Sequence, residues 1–174
     1  PVEIQEVATR LLCELLGASR VTYAEVSGNE FVVRRSHVNG VAPFAERQAL
    51  AFFGQAALDA FQRGETIAVD DVRRDERLTD VERRHLVENE IAAFVALLLQ
   101  RDGRPAAFGV HSATPRSWSA DQIHAIEAIA ERTWSAAERA ATEAALASST
   151  GRLTFLARLT NAIRPLRDPN SIVV

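Results

Sequence analysis

The densest group of side chains that could do chemistry lies between residues 70 and 85. Its acids and histidine are Asp70, Asp71, Asp75, Glu76, Asp80 and His85. Oxygen-rich groups of this kind can hold a hydrated divalent cation. However, Arg73, Arg74 and Arg77 lie among them, and the glycine-containing spacing of an EF-hand loop is missing. We therefore predict a solvated loop here and no metal site.

The histidines and the cysteine offer no further reactive cluster. The four histidines fall in separate predicted elements, and none forms a His-x-x-x-His pair that would bind a metal on one helix face. The single cysteine, Cys13, cannot form an internal disulfide or a cysteine-based zinc site. We expect a buried thiol there and a cytoplasmic, reducing compartment. We predict no catalytic residues and no enzymatic activity for this chain, which we expect to be a fragment of a larger protein.

Composition excludes two classes of partner. The chain has 174 residues, 47% of them hydrophobic and 25% charged, with a net charge of −3. That length suits one domain with an appendage. The arginines do not form a concentrated basic surface, so we expect no nucleic acid as partner. Because no apolar run approaches eighteen residues, we expect no membrane contact either.

Periodicity predicts the elements that position these residues. Helical spacing covers residues 3–16, and alternating strands at 20–26 and 30–37 flank a turn at Gly28-Asn29. A helix split near Gly54 is predicted over 45–62, then a strand at 66–70 and a helix capped by Asp80. A second hairpin joins 92–100 to 106–111 through Asp102-Gly103. Helices follow at 119–148 and 152–164. Two hairpins surrounded by helices predict an α+β domain with an antiparallel sheet.

Several stretches in this order resemble GAF domains of bacterial signal-transduction proteins of the sensor histidine kinase type. They are residues 64–72, 91–99, the pair Asp102-Gly103, Val110-His111 and the Pro-Arg-Ser-Trp segment at 115–118. The resemblance covers about residues 3 to 145. It implies a central antiparallel sheet with the terminal helices on one face and a small-molecule pocket on the other. It also implies a two-component signalling protein with a kinase domain downstream.

The resemblance also suggests which residues form the pocket, although the ligand and any cofactor stay unknown. The candidate lining residues are Tyr23, Phe53, Asp71, Arg73, Phe94, Phe108 and His111. The pattern Val110-His111-x-x-x-Pro115-Arg116 is also similar to bilin-binding GAF domains. Residues 66–95 contain no cysteine for a thioether bond, and 70–72 departs from the Asp-Ile-Pro pattern of phytochromes. We therefore expect no covalently attached bilin.

The C-terminal third predicts a signalling helix. Apolar residues recur at helical spacing from residue 126 onward and extend past the expected end of the sheet. We predict a parallel homodimer through Trp134, Leu146, Leu153, Leu156 and Ile163. The alternative is a helical hairpin that folds back at Gly151 and hides the same side chains. We assign 1–145 to the GAF domain, 146–168 to a helical linker, and 169–174 to the start of a following domain.

Two functions remain open from the sequence besides a bilin-binding photosensor, which the similarity at residues 110–116 leaves as a third alternative. The preferred one is a sensory domain that binds a small ligand, or relays a signal, through its terminal helices to a downstream kinase. The rival is a dimerisation and spacer module with a vestigial pocket. A large cavity with convergent polar groups would favour sensing. A cavity filled by Phe and Leu side chains would favour the spacer.

Overall fold

A computed structural model describes residues 2–100 and 104–163 of the chain. The chain forms two compact units, Pro1–Glu138 and Arg139–Val174. The first unit contains the whole sheet, and the described part of the second is helical. Within the described residues, no helix has the length and apolar character that a membrane span requires.

Six strands and four α-helices make up the described structure. The helices are α1 (Val2–Leu16), α2 (Gln55–Arg63), α3 (Asp80–Glu88) and α4 (Ala120–Ile163). The strands are β1 (Arg20–Ser27), β2 (Glu30–Val38), β3 (Arg47–Ala49), β4 (Ile67–Val69), β5 (Ala93–Leu99) and β6 (Ala106–Ser112). A short 3-10 helix, Leu50–Phe53, follows β3 directly.

The strands form one antiparallel sheet in the order β3-β2-β1-β6-β5-β4. The predicted α+β fold is therefore confirmed. The pair Ser27 and Glu30 closes the first hairpin around Gly28-Asn29, as the sequence predicts. In the second hairpin Leu99 pairs with Ala106. Its predicted turn residues, Asp102 and Gly103, lie outside the described residues.

Three local predictions were wrong. The split predicted near Gly54 in the 45–62 helix is observed, and Gly54 has a positive φ of 88°. The part before it is wrong: it is not α-helical, because β3 adds to the free edge of β2 and a 3-10 helix follows. The cap of α3 is Thr79 rather than Asp80, since the Thr79 side chain and Glu82 form a capping box. Helix α4 continues without a break through Gly151. One glycine costs a helix only about 1 kcal/mol, so it does not have to end the helix.

The sheet carries a separate apolar core on each face. Successive strand residues point to opposite faces, so neighbours on β1 and β6 divide between the two cores. One core, the helix face, packs β1, β5 and β6 against α1 and the first part of α4 through Leu12, Ile126 and Trp134. The other, the pocket face, packs the sheet against α2, α3 and the 3-10 helix.

Candidate functional site

A small cavity lies on the pocket face, between β1, β6 and the segments that cover them. Its volume is about 30 Å³, enough for one or two water molecules. The side chains that close it are mainly aromatic: Phe31, Phe44, Phe52, Phe53, Phe61 and His111. The cavity is thus a narrow space within an aromatic layer.

His111 is the polar group of this layer that has no partner. It is 1% exposed. Its ring stacks on Phe53 at 5.4 Å between centroids and meets Phe44 edge-on at 5.2 Å. Neither ring nitrogen has a hydrogen-bond partner among the described residues. A neutral imidazole presents one donor and one acceptor, so both are available to a molecule in the cavity.

Burial keeps this imidazole neutral. It lowers the pKa of His111 to about 3, and the positive charge of Arg20 acts in the same direction. A contact with the Arg20 backbone raises the pKa and so opposes this shift, but its geometry is not that of a hydrogen bond. Gly109 leaves room for the ring, because a Cβ there would lie 2.8 Å from Cε1 and Nε2 of His111. A glycine two residues earlier on the same strand face therefore sets the ring position.

Arg20, on β1 opposite His111, is a buried cation held by carbonyl groups. It is 2% exposed. Its Nε and Nη2 donate to the Ala42 carbonyl at 3.0 and 2.5 Å, and its Nη1 and Nη2 donate to the Asn89 carbonyl at 3.3 Å. The Glu90 carboxylate accepts a hydrogen bond from the Ala42 amide at 2.9 Å. Burial lowers the pKa of Arg20, and the charge of Glu90 opposes that shift. Together these contacts hold the segment around Ala42 against the sheet.

Phe44 connects this cation to the cavity. The guanidinium carbon of Arg20 lies 4.0 Å from the centroid of the Phe44 ring, which is within cation–π range. The same ring meets Phe52 at 5.2 Å and Phe53 at 6.4 Å. Phe44 is half-buried and belongs to residues 39–46, which form neither helix nor strand. An irregular segment therefore supplies one wall of the cavity.

The family model of the GAF domain matches residues 1–137, which is most of the chain. This chain belongs to the GAF domain family. No curated protein matches it.

Solved GAF domains share this fold at low sequence identity. The blue-light absorbing form of the PixJ GAF domain of Thermosynechococcus elongatus is 21% identical, with a TM-score of 0.71 over 87% of this chain and 92% of that chain. The phycocyanobilin-bound GAF domain of a cyanobacterial phytochrome is 14% identical, with a TM-score of 0.71 over 82% and 86%. The far-red absorbing dark state of JSC1_58120g3 with bound biliverdin is 17% identical, with a TM-score of 0.69 over 80% and 91%. At these identities the likeness establishes the fold alone.

The structure places only some of the predicted pocket residues of this GAF domain at the cavity. Phe53 and His111 line the cavity, and Phe94 packs behind Phe53 at 5.3 Å without lining it. Tyr23 lies on the helix face instead, because Thr22 and Ala24 take the cavity-facing positions of β1. Phe108 borders the cavity, yet its ring packs edge-on against Tyr23 at 6.4 Å in the helix-face core.

Asp71 and Arg73 lie away from the cavity, contrary to their predicted position. The Asp71 carboxylate accepts a hydrogen bond from the Arg73 amide at 2.9 Å, which closes a local turn. The Arg73 side chain is exposed and borders a separate surface groove beside Val87 and Glu90. These two residues follow β4 at the far edge of the sheet, so the chain order 70–73 does not bring them to the centre.

The acidic side chains between residues 70 and 85 form short-range ion pairs and one hydrogen bond to a distant residue. Asp75 pairs with Arg77 at 2.6 Å, and Asp80 pairs with Arg83 at 2.7 Å. The Asp70 carboxylate accepts a hydrogen bond from the Trp118 amide at 3.1 Å. Over residues 2–100 and 104–163, no three His, Cys, Asp or Glu side chains are grouped closely enough to hold a metal ion.

The residues of the predicted dimer helix also separate into groups. Trp134 is 6% exposed and donates its indole N–H to the Arg104 carbonyl at 2.9 Å, so it belongs to the helix-face core and not to a partner surface. Leu146, Leu153 and Leu156 are exposed, and Phe155 is exposed beside them. Ile163 ends the described helix, and its side chain lies outside the described part of the chain.

The sequence reading missed Arg20 and Phe44, which complete the site. Arg20 stands at the start of β1 in an inward position that alternation would reserve for an apolar residue. Phe44 lies in a segment of mostly loop-like composition, where a lone aromatic residue has no periodic neighbours. The available signal was the run of phenylalanines between residues 31 and 61, which is denser than elsewhere in the chain.

Proposed function

We propose that this GAF domain is the input module of a bacterial sensor histidine kinase. In this proposal the cavity beside His111 takes up a small ligand, and the terminal helices pass the change to a kinase domain further along the chain. The observation that carries the proposal is His111 itself, which is buried in an aromatic layer with neither ring nitrogen hydrogen-bonded to a described residue.

The energetic argument starts from that unpaired ring. A buried polar group without a partner costs about 1–3 kcal/mol, and such groups in native proteins call for a functional explanation. A ligand with an apolar body and one hydrogen-bonding atom would remove this cost. Because the cavity holds only about 30 Å³, any ligand larger than a few atoms must displace part of the aromatic layer. Binding and a change of conformation are thus coupled.

A junction at the end of β4 supports the route to the helices. The Asp70 carbonyl accepts a hydrogen bond from the Arg116 amide at 3.0 Å. The Trp118 indole donates to the Val69 carbonyl at 3.1 Å, and the Arg116 side chain donates to the Leu16 carbonyl at 2.6 Å. Val69 itself is in the pocket-face core. A shift of β4 would therefore pull on the end of α1 and on the segment that leads into α4.

We propose that the C-terminal unit forms a parallel homodimer. Leu146 and Leu153 are 68% and 66% exposed. Burying each against a partner helix would contribute roughly 1.5–3 kcal/mol. Residues 146–168 would then act as a helical linker, with a following domain from about residue 169. The alternative hairpin would require α4, which continues through Gly151, to break at that residue.

Sedimentation over a range of concentrations tests the dimer. We expect the full chain to dimerise at tens of micromolar, and a chain that ends at Glu138 to stay monomeric. Leu153→Asp should weaken the dimer. Ser148→Asp is the matched control, because it places the same charge on the opposite side of α4 from Leu146 and Leu153, and its effect should be smaller. A full chain that stays monomeric would contradict the dimer and leave the ligand proposal untouched.

The spacer function stays a second candidate, because the cavity is small and filled by phenylalanine rings. That is the arrangement expected of a vestigial pocket. Native mass spectrometry of protein purified under gentle conditions separates the two. A small molecule that co-purifies with the wild type, and is lost from His111→Leu, supports sensing. An empty wild-type protein, with unchanged kinase output in the His111→Leu full-length chain, supports the spacer.

Two of the solved structures hold a bilin, one biliverdin and one phycocyanobilin, but bilin binding fits the site of this chain poorly. A tetrapyrrole needs a pocket of several hundred cubic ångströms, whereas this cavity measures about 30 Å³. The only cysteine, Cys13, is buried on the helix face and donates its thiol to the Ala18 carbonyl at 3.0 Å. We expect a colourless protein after co-expression with a bilin-producing pathway. A visible band that survives denaturation would overturn this expectation.

A further inference from the structure

We infer that the Phe44 ring occupies the place of the ligand's own ring, and that the ligand is a small aromatic carboxylate whose anionic group pairs with Arg20. This inference rests on the proposed ligand-binding function and names the chemical class of the ligand. The observation behind it is that Phe44 contacts a buried cation and also lines the cavity.

The first step concerns Phe44. Its ring contacts the Arg20 guanidinium and also meets the rings of His111, Phe52 and Phe53. It is half-buried, whereas Phe52 and Phe53 are 5% and 8% exposed. It is carried by residues 39–46, which lack regular structure. Among the rings that close the cavity, Phe44 can therefore leave with the least disruption of helices and strands.

The second step concerns Arg20. Buried charges are normally paired with an opposite charge, yet none of the ion pairs formed between described residues includes Arg20. Its side-chain hydrogen bonds to the described residues all go to the carbonyls of Ala42 and Asn89. The nearby Glu90 carboxylate is engaged by the Ala42 amide. A guanidinium presents a planar fork that matches a carboxylate, so an anion would complete this site.

The third step joins the two. When Phe44 moves out, the space of its ring merges with the existing cavity, and Arg20 faces that space. A planar ring there would regain the edge contacts that Phe52, Phe53 and His111 now make with Phe44. A carboxylate on that ring would lie toward Arg20, and a polar ring substituent could pair with His111. The Ala42 carbonyl moves with the same segment as Phe44, which frees donors on Arg20 for the carboxylate.

Binding of three probes to three proteins tests the inference. The probes are benzoate, toluene, which has the ring without the charge, and cyclohexanecarboxylate, which has the charge without the aromatic ring. The proteins are the wild type, Phe44→Ala and Phe61→Ala. Phe61 is the matched control, because it lines the same cavity and packs on Phe31, and no contact between it and Arg20 is found. Titration calorimetry and amide chemical shifts give the affinities, and circular dichroism checks that each variant is folded.

We expect Phe44→Ala to bind benzoate at least about tenfold more tightly than the wild type does, because the variant no longer has to expel its own ring. Phe44→Ala should also prefer benzoate to both other probes, and Phe61→Ala should show no such preference. Adding Arg20→Gln to Phe44→Ala should remove the preference for benzoate. If that double variant does not fold, the probe preference of Phe44→Ala alone still decides the matter.

Two results would overturn the inference. If Phe44→Ala binds toluene as well as benzoate, or gains no more than Phe61→Ala, then Arg20 and Phe44 do not define the ligand. If no probe binds Phe44→Ala, the aromatic carboxylate class is wrong. Neither result removes the proposed sensory function, which the co-purification experiment with His111→Leu tests by itself.

Discussion

The two faces of the sheet treat their buried polar groups differently. On the helix face, the indole groups of Trp118 and Trp134 donate to the carbonyls of Val69 and Arg104, and the Cys13 thiol donates to the Ala18 carbonyl. On the pocket face, both ring nitrogens of His111 stay unpaired. Apart from Nε of Arg83, they are the buried side-chain polar atoms without a partner among the described residues.

The difference indicates a division of labour within one small domain. The helix face is a satisfied core that fixes α1 and the first part of α4 on the sheet. The pocket face keeps a cavity and an unpaired imidazole, and each of these reduces the free energy of unfolding. Because only the pocket face bears these costs, we infer that the helix face serves stability and the pocket face serves binding. Each prediction below compares the two faces.

The largest expected difference comes from truncating one side chain on each face. Ile126 on α4 is fully buried in the helix-face core. Ile126→Ala should lower the free energy of unfolding by about 2–5 kcal/mol. Phe44→Ala should cost only about 1–1.5 kcal/mol, since the half-buried ring gives up about half of a full burial. Urea denaturation of both variants measures this. Equal losses would mean that Phe44 is a fixed part of the core.

The second prediction concerns acid. The folded-state pKa of His111 is lowered to about 3, whereas an unfolded histidine titrates near about 6.5. Between these values the unfolded state binds more protons, so the stability present above pH 6.5 is lost as the pH falls. The slope should reach about 1.4 kcal/mol per pH unit. Denaturation midpoints measured from pH 7 to pH 4 test this.

His111→Leu provides the control for that slope. The hydrogen bond from Arg77 lowers the pKa of Asp75. For Glu82, burial raises the pKa, but hydrogen bonds from Thr79 and Gln55 outweigh it and lower the pKa overall. The stabilisation that both carboxylates provide is also lost on acidification. This loss begins at a lower pH than the loss due to His111. In the variant, the free energy of unfolding should therefore change little between pH 6.5 and 5, and it should still fall below pH 5. An unchanged slope would show that His111 is not the group responsible.

The fold was predictable because local sequence patterns specify most of its strands and turns. The turn at Gly28-Asn29, the alternation along β1 and the apolar run of β5 each specify a strand without reference to distant residues. The predictions failed where tertiary contacts override local preference. β3 has only three residues and owes its conformation to the edge of β2. Gly151 is helical although its own propensity opposes it.

The site was harder to predict, because its parts are distant in the chain. Arg20, Ala42 and Asn89 meet only after β1 and the end of α3 come together, and no spacing rule links residues 20, 42 and 89. His111 and Phe53 were found through the family resemblance rather than through a pattern. Tyr23 was placed on the wrong face because residues 20–24 of β1 are buried on both faces of the sheet, so burial alone does not tell which face carries the pocket.

A third comparison removes a polar group from each face. Trp118→Phe deletes a donor and leaves the Val69 carbonyl without its indole partner, which should cost about 1–3 kcal/mol. His111→Leu deletes a group that has no partner, so it should leave stability at pH 7 unchanged or raise it by about 1 kcal/mol. Thermal or urea unfolding at pH 7 gives both values. A loss in both variants would indicate that His111 has a hydrogen-bonded partner, such as a water molecule.

The smallest effect concerns the space around the imidazole. A Cβ added at Gly109 would lie 2.8 Å from two atoms of the His111 ring. Gly109→Ala should therefore destabilise the wild type by about 1 kcal/mol through overpacking. In a His111→Ala background the clash is gone, and the same change should stabilise the strand by about 0.5–1 kcal/mol, because glycine is a poor strand residue. The change of sign is the result to look for in a double-mutant cycle. If Gly109→Ala has the same effect in both backgrounds, the imidazole is not confined by Gly109, and the pocket face is looser than these contacts indicate.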